Sequence, residues 1–333
     1  MNIALQQLEA TITRERTTEP FSGVVSLRHK DTIIFERAYG AALRSESIPN
    51  QVDTRFQIAS GCKIFTSVAI CQLIERGVLA PTTLLSECVD VPFPQFDPQI
   101  TIHQLLTHTS GIPDYFDETV MTDYELLWQH QPMYGIRRPA DFLPLFQNQP
   151  MQSTPGTTFA YNNAGFVVLG LIIEQSADTR FSDYVTEHIF RVCNMRDSGY
   201  FAADQLPART ACAYIENADG TWRSNIYAVP IIGGPDGGAY TTAADMARFW
   251  QALAEHKLLS SESTTRLLTP QDATQREAPY SYYGYGIWMD ASANGIRKYF
   301  VEGSDPGVAF RSSVYPEQEL ILTLLGNTGQ ALW

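Results

Sequence analysis

The chain has 333 residues, 44% of them hydrophobic, and a formal net charge of −13. That is ample for a large core, and the charge sets aside nucleic acid and anionic membrane surfaces as partners. The five cysteines (Cys62, Cys71, Cys88, Cys193, Cys212) are scattered without a Cys-x-x-Cys, and His103 and His108 are five apart, so neither a disulfide framework nor a zinc site is expected.

No stretch reaches the roughly 18 continuous apolar residues of a membrane span. The N-terminus lacks the basic start and apolar run of a signal peptide. The expectation is a cytoplasmic protein, or an extracytoplasmic one whose leader has been removed.

Ile3, Leu5, Leu8 and Ile12 recur at amphipathic-helix spacing over residues 3–15. Residues 23–27 and 32–36 read as two strands joined by a turn at His29-Lys30-Asp31, an antiparallel hairpin. Residues 39–55 read as a loop that leads into a helix carrying Ser60 and ending near Gly77, which suits the left-handed position after a helix. From about 80 to 280 the pattern is mainly helical with long loops. Residues 100–115 give a short helix running into a turn, and a long apolar helix starts at Ala164, capped by Asn162 or Asn163. Gly233 to Gly238 is a flexible turn, and Thr242 opens a helix through Met246, Phe249, Trp250 and Leu253. Strands return at 285–289, 297–301, 308–315 and 320–325. Early and late strands with helices between them predict an α+β fold: one antiparallel sheet built from both chain ends and flanked by helices. The sheet part would hold about residues 1–60 and 281–333 of a single 1–333 domain, with a largely helical insertion over about 80–280.

Within this plan Lys63 is out of place. It is one of four lysines, and Ile64, Phe65, Val68, Ala69, Ile70, Cys71, Leu73 and Ile74 follow it. A helix apolar on nearly every side is buried, and a buried ammonium is costly unless it is paired or loses its proton. Ser60 lies three residues earlier, on the same helical face. A serine hydroxyl is a weak nucleophile until a neighbouring base takes its proton, and desolvation lowers a lysine pKa toward that role. Read alone, Ser-x-x-Lys is a frequent chance spacing, Tyr161 packs the start of the 164–175 helix, and Asn163 caps it.

Taken together, Ser60-Gly61-Cys62-Lys63, Tyr161-Asn162-Asn163 about a hundred residues on, the 105–113 segment Leu-Leu-Thr-His-Thr-Ser-Gly-Ile-Pro, and the run from Gly237-Gly238 to Asp245-Met246 resemble the serine beta-lactamase and penicillin-binding protein superfamily, in its class C-like branch. The resemblance covers roughly residues 20–327. It implies a beta-lactamase/transpeptidase-like fold with its site between sheet and helices, and an acyl-enzyme mechanism without metal or other cofactor. It makes Ser60 the nucleophile and Lys63 the base or proton store. Tyr161 passes protons between Ser60 and the leaving group, and Asn163 binds the substrate amide. Which of Lys63 and Tyr161 holds the resting proton stays open. His108 is expected to brace its loop, and Cys62, where the family often has threonine, to be a buried packing residue.

The third family motif departs. The segment is Phe300-Val301-Glu302-Gly303-Ser304-Asp305-Pro306-Gly307, and Pro-Gly fixes a register that puts Val301 where the family's basic residue stands. The usual cation is missing, and Glu302 adds a negative charge that repels a substrate carboxylate; alternatively Glu302 points away and pairs with Arg297 or Lys298. Gly303 permits close approach of substrate. The resemblance assigns the oxyanion to the N–H groups of Ser60 and Ser304. The expectation is a serine hydrolase acting on a small-molecule or peptide substrate, an ester or amide without a free carboxylate at that spot. The alternatives are a penicillin-binding D-peptidase or weak beta-lactamase, or a protein that holds such ligands without turnover. The Gly-x-Ser-x-Gly elbow of the other large serine-hydrolase fold is absent. Nothing in the sequence bears on oligomeric state.

Overall fold

The structure is a computed structural model that describes residue 9 and residues 21–117, 119–121, 123–273, 281–292 and 295–329. The helix expected over 3–15 lies outside the described residues, apart from Glu9.

One sheet organises the chain. Its strands are β1 (Gly23–His29), β2 (Thr32–Tyr39), β3 (Asp272–Ala273), β4 (Ser281–Tyr283), β5 (Trp288–Ser292), β6 (Gly295–Asp305), β7 (Val308–Tyr315) and β8 (Leu320–Gly326). Their order is β2-β1-β8-β7-β6-β5-β4-β3, and every pairing is antiparallel. The first and last strands therefore pair inside the sheet, where β1 runs against β8 from Gly23↔Gly326 to His29↔Leu320. Side-chain alternation gives each strand two faces. Val24 enters the main core, while Val25 joins Phe21 and Phe35 in a second cluster.

Two expectations about this sheet need correction. The strand expected at 285–289 is displaced: residues 284–287 form a turn, and the strand starts at Trp288. Gly286 causes this, because its φ of +69° reverses the chain and Gly284 N–H donates to Ile287 O at 2.8 Å. The two short strands at that end of the sheet, β3 and β4, have no counterpart among the expected elements. Inside the region expected to be mainly helical, Tyr214–Glu216 and Trp222–Ser224 pair as a small hairpin around Gly220.

Three helices carry the rest of the argument: α1 (Lys63–Glu75), α2 (Asn163–Ala177) and α3 (Ala243–Ala254). Every residue of α1 from Lys63 to Leu73 is buried, which matches its lack of a polar face. It ends as expected at Gly77, φ +71°, with Val78 N–H donating to Leu73 O and Gly77 N–H to Ile74 O. Helix α2 packs on α1, and α3 lies against β1 and β8. Among the described residues, no helix is long and apolar enough to cross a membrane.

A short 3₁₀ turn, Ala59–Cys62, precedes α1 and rests on β6 and β7. Two glycines make that contact possible. A Cβ on Gly61 would lie 2.3 Å from the Phe310 ring, and one on Gly303 would lie 2.3 Å from Ile58 O and 2.7 Å from Ser60 N. Gly61→Ala should therefore destabilise by overpacking, about 1–3 kcal/mol in urea unfolding. Adding Phe310→Leu should recover part of that loss. An unchanged urea midpoint in the single variant would show that the turn has room to spare.

Candidate active site

Ser60 stands in the 3₁₀ turn and Lys63 is the first residue of α1. A 3₁₀ turn has three residues per turn, so residues three apart eclipse each other more closely than on the α-helix expected from sequence. Lys63 Nζ lies 2.9 Å from Ser60 Oγ. The lysine is 2% exposed, as its apolar neighbours predict. Ala59, just before Ser60, has φ +43°, a strained value for a residue with a Cβ, of the kind that clusters at functional sites.

Two further oxygens surround the amine. Nζ donates to Asn163 Oδ1 at 2.8 Å and to the backbone oxygen of Asp236 at 2.6 Å. Both are acceptor-only atoms, so they hold two of the nitrogen's positions as N–H donors. The remaining tetrahedral position faces Ser60 Oγ. Charged, the amine donates a third hydrogen bond there; neutral, it aims its lone pair at the serine proton.

The second predicted motif arrives at the N-terminus of α2. Asn162 is the cap: its Oδ1 accepts from Gly165 N–H at 2.7 Å. Asn163 N–H and Ala164 N–H donate to Asp114 Oδ2 and Oδ1, each at 2.9 Å. Asn163 Nδ2 also faces Asp114 Oδ2 at 3.2 Å. That contact orients the amide, turning its carbonyl oxygen to Lys63. The Tyr161 ring stacks on Trp288 at 6.0 Å and 14°, packs on His108 at 4.5 Å, and has Lys63 Nζ 4.9 Å from its centroid. The structure thus brings Ser60, Lys63, Tyr161 and Asn163 together.

The surrounding titratable groups are heavily perturbed. Burial pushes the Asp114 carboxyl up to about 7, against the pull of its N–H donors and Lys63. Burial also raises Asp236, again opposed by Lys63. Tyr115 donates its hydroxyl to Asp236 Oδ2. Cys62 is fully buried and its thiol is pushed up to about 12 by desolvation, so it packs, as expected, and does not ionise. His108 is driven well below its ordinary value, first by burial and then by Lys63. Its Nδ1 accepts from Asn162 N–H at 3.0 Å, which leaves Nε2 to carry the proton toward Tyr283 Oη at 3.0 Å. It braces its loop, as expected.

Ser60, Tyr161 and Asn163 line a cleft of about 1090 Å³, together with Trp288, Glu302, Gly303 and Ser304. Val301, at the expected cation position, is 2% exposed and belongs to the main core. Glu302 pairs with neither Arg297 nor Lys298; both of those bind Asp290, at 3.2 and 2.9 Å. Its partner is Arg311, at 2.8 Å. Register explains the correction: Glu302 stands directly opposite Arg311 on β7, and directly opposed residues share a face. Sequence reasoning gave no role to Asp114, Asp236, Trp288 or Arg311. The available signal was an acid inside apolar or glycine-rich surroundings: Asp114 follows Gly111-Ile112-Pro113, and Asp236 sits between two glycine pairs.

A serine hydroxyl touching a buried amine at the wall of a cleft, on this sheet-and-helix scaffold, defines a serine hydrolase. The matching family model is Beta-lactamase, over residues 8–332, and the chain belongs to that family. A solved penicillin binding protein from Bacillus halodurans superposes with a TM-score of 0.91 at 48% identity, covering 96% of this chain and 95% of that one. Penicillin-binding protein 4 of Amycolatopsis lactamdurans is 24% identical over 95% of this chain and 83% of its own length. Esterase EstB of Burkholderia gladioli is 30% identical over 60% of this chain and 51% of its own.

Two outcomes are expected at this site. Asp114→Asn loses the carboxylate that orients the Asn163 amide, so kcat/KM should fall by about 10²-fold, mostly in kcat; an unchanged kcat would remove Asp114 from the positioning of Lys63. For His108, the unfolded chain binds a proton near pH 6.5 and the folded chain only well below that. Its stabilising contribution is therefore present above pH 6.5 and lost as pH falls. Between about pH 7.5 and about pH 5.5 the wild type should lose more melting temperature than His108→Gln. Parallel losses would assign the acid sensitivity to other groups.

Proposed function

We propose that this protein cleaves an ester or amide through an acyl-enzyme on Ser60, without a metal, and that its preferred substrate lacks a free carboxylate beside β6. The observation that carries the reading is the aim of Lys63: two acceptor-only oxygens fix two of its N–H bonds and leave the third position on Ser60 Oγ.

Ser60 Oγ attacks the carbonyl carbon as its proton passes to the Lys63–Tyr161 pair. The tetrahedral oxyanion rests on the N–H groups of Ser60 and Ser304. One such donor is typically worth about 2.7–4 kcal/mol in the transition state. Collapse breaks the bond to the leaving alcohol or amine, which takes its proton from Tyr161. Water then attacks the acyl carbon and gives a proton to the Lys63–Tyr161 pair; collapse breaks the acyl–Ser60 bond, the carboxylic acid leaves, and Ser60 Oγ takes that proton back. Lys63 Nζ lies 4.9 Å from the Tyr161 ring centroid, which supports the two acting as a pair in proton transfer. Asn163 holds both the amine and the substrate amide.

Carboxylate avoidance is supported by the cleft wall. Asp123, Glu125, Glu216, Asp236, Glu302 and Asp305 line it, and Arg223 is the only basic side chain among the described lining residues. Arg223 is itself held by Glu125 at 2.6 Å. The esterase relative supports ester cleavage. A second reading, slow acylation by penicillin as in a D-peptidase or a ligand-holding protein, is favoured by the 48% identity to a penicillin binding protein. The five cysteines are free thiols, which supports a cytoplasmic, reducing setting.

The test is labelling with a fluorophosphonate and with a fluorescent penicillin, then mass spectrometry of the modified peptide. Modification at Ser60 is expected, with none in Ser60→Ala. Lys63→Met and Tyr161→Phe should each lower kcat/KM for a neutral ester by about 10²–10⁴-fold. Persisting turnover in Ser60→Ala would overturn the reading. A stoichiometric burst without a steady state would select the ligand-holding alternative.

A further inference from the structure

Glu302, at the cleft wall, is paired with Arg311, which stands at the end of a stack that begins on Tyr161. The Tyr161 ring stacks on Trp288 at 6.0 Å, and Trp288 stacks on Phe300 at 6.5 Å and 19°. The Arg311 guanidinium sits 4.6 Å over the Phe300 ring. Strand alternation puts Phe300 and Glu302 on one face of β6, and the pairing Glu302↔Arg311 puts the guanidinium on that face too. The side chains are 13% and 17% exposed, so solvent screens this pair little. Glu302 lines the cleft and holds Arg311 at 2.8 Å.

We propose that Glu302 sets the charge preference of the cleft by occupying the Arg311 guanidinium, so that loss of its carboxylate turns this wall from one that rejects anionic substrates into one that binds them. The inference rests on the reading of Ser60 as nucleophile and adds the residues that decide which substrate charge is accepted. The physics is local. A guanidinium stacked on an aromatic ring is pre-organised for a planar carboxylate. In the wild type that carboxylate is Glu302, and a second anion arriving from the cleft meets like charge. With glutamine at 302 the shape is kept and the charge is gone. Removing the Glu302 carboxylate takes one negative charge from beside the guanidinium, which strengthens the pull of that cation on an arriving anion.

The experiment compares two esters of nearly equal shape, 4-nitrophenyl valerate and mono-4-nitrophenyl glutarate, the second carrying a carboxylate in place of the terminal methyl. In the wild type kcat/KM should favour valerate. In Glu302→Gln the glutarate/valerate ratio should rise at least about tenfold, chiefly through KM, the scale of one removed like-charge contact. Glu302→Gln/Arg311→Gln should return the ratio to near its starting value, because the gain depends on the guanidinium. A ratio that stays within about twofold in the single variant, or a gain that survives in the double variant, overturns the proposal. Binding gives a readout independent of turnover: free glutarate should raise the melting temperature of Glu302→Gln and not of the double variant. Absent valerate hydrolysis in the wild type, or hydrolysis that persists in Ser60→Ala, would fault the nucleophile and leave the glutarate shift to decide the charge question. No glutarate shift in Glu302→Gln would then overturn it.

Discussion

The site is built around the cost of burying one ammonium. Lys63 is 2% exposed, and the effective penalty for removing such a cation from water is several kcal/mol. Three oxygens answer it: Ser60 Oγ, Asn163 Oδ1 and Asp236 O. Hydrogen bonds to charged groups contribute about 1.5–3 kcal/mol each, so together they are of the size of the penalty. The three acceptors come from the turn before α1, the start of α2 and the glycine-rich turn before α3, segments far apart in sequence. Holding the cation therefore helps fix the relative position of these elements, alongside the Thr66 Oγ1 bond to Pro235 O at 2.6 Å, where apolar packing specifies geometry loosely.

The groups around the cation follow from the same constraint. Asp114 and Asp236 lie near enough for Lys63 to pull their pKa values down, against the upward push of burial. Each acts through an intermediary: Asp114 through the Asn163 amide, Asp236 through its own backbone oxygen. His108 could have added a second positive charge. Burial and Lys63 keep it neutral, and its two ring nitrogens are used on Asn162 N–H and Tyr283 Oη. Ala59 and His108 are among the non-glycine residues that hold positive φ, so some of the backbone strain lies next to Ser60 and beside the Tyr161 ring.

What could be read from sequence were features whose cause is local. The antiparallel sheet was legible because its strands alternate and its hairpins have turn residues. Ser60 and Lys63 were legible because a lone cation in an apolar run conflicts with burial. Chain reversal at Gly286 moved a strand boundary, since a single residue at φ +69° leaves no periodic trace. The Glu302 partner was illegible for a different reason. Arg297 and Lys298 are near in sequence, but which residue faces Glu302 depends on the register between β6 and β7. Asp114 was hidden likewise, because its meaning lies in reaching Asn163 from 49 positions away.

On the proposed roles, the ammonium is divided between structure and chemistry. Two of its N–H bonds point at oxygens that can only accept, and these tie α1 to α2 and to the 233–238 turn. The third points at the serine hydroxyl, which can both give and take a proton. On the proposed roles, when Lys63 surrenders a proton it is this one, and the two structural bonds persist. A staple that had to release an acceptor-only partner at each turnover would loosen the site during the step that needs it most ordered. Because the exchangeable proton is the one not used for holding the fold, the same side chain can be buried for stability and still titrate for catalysis.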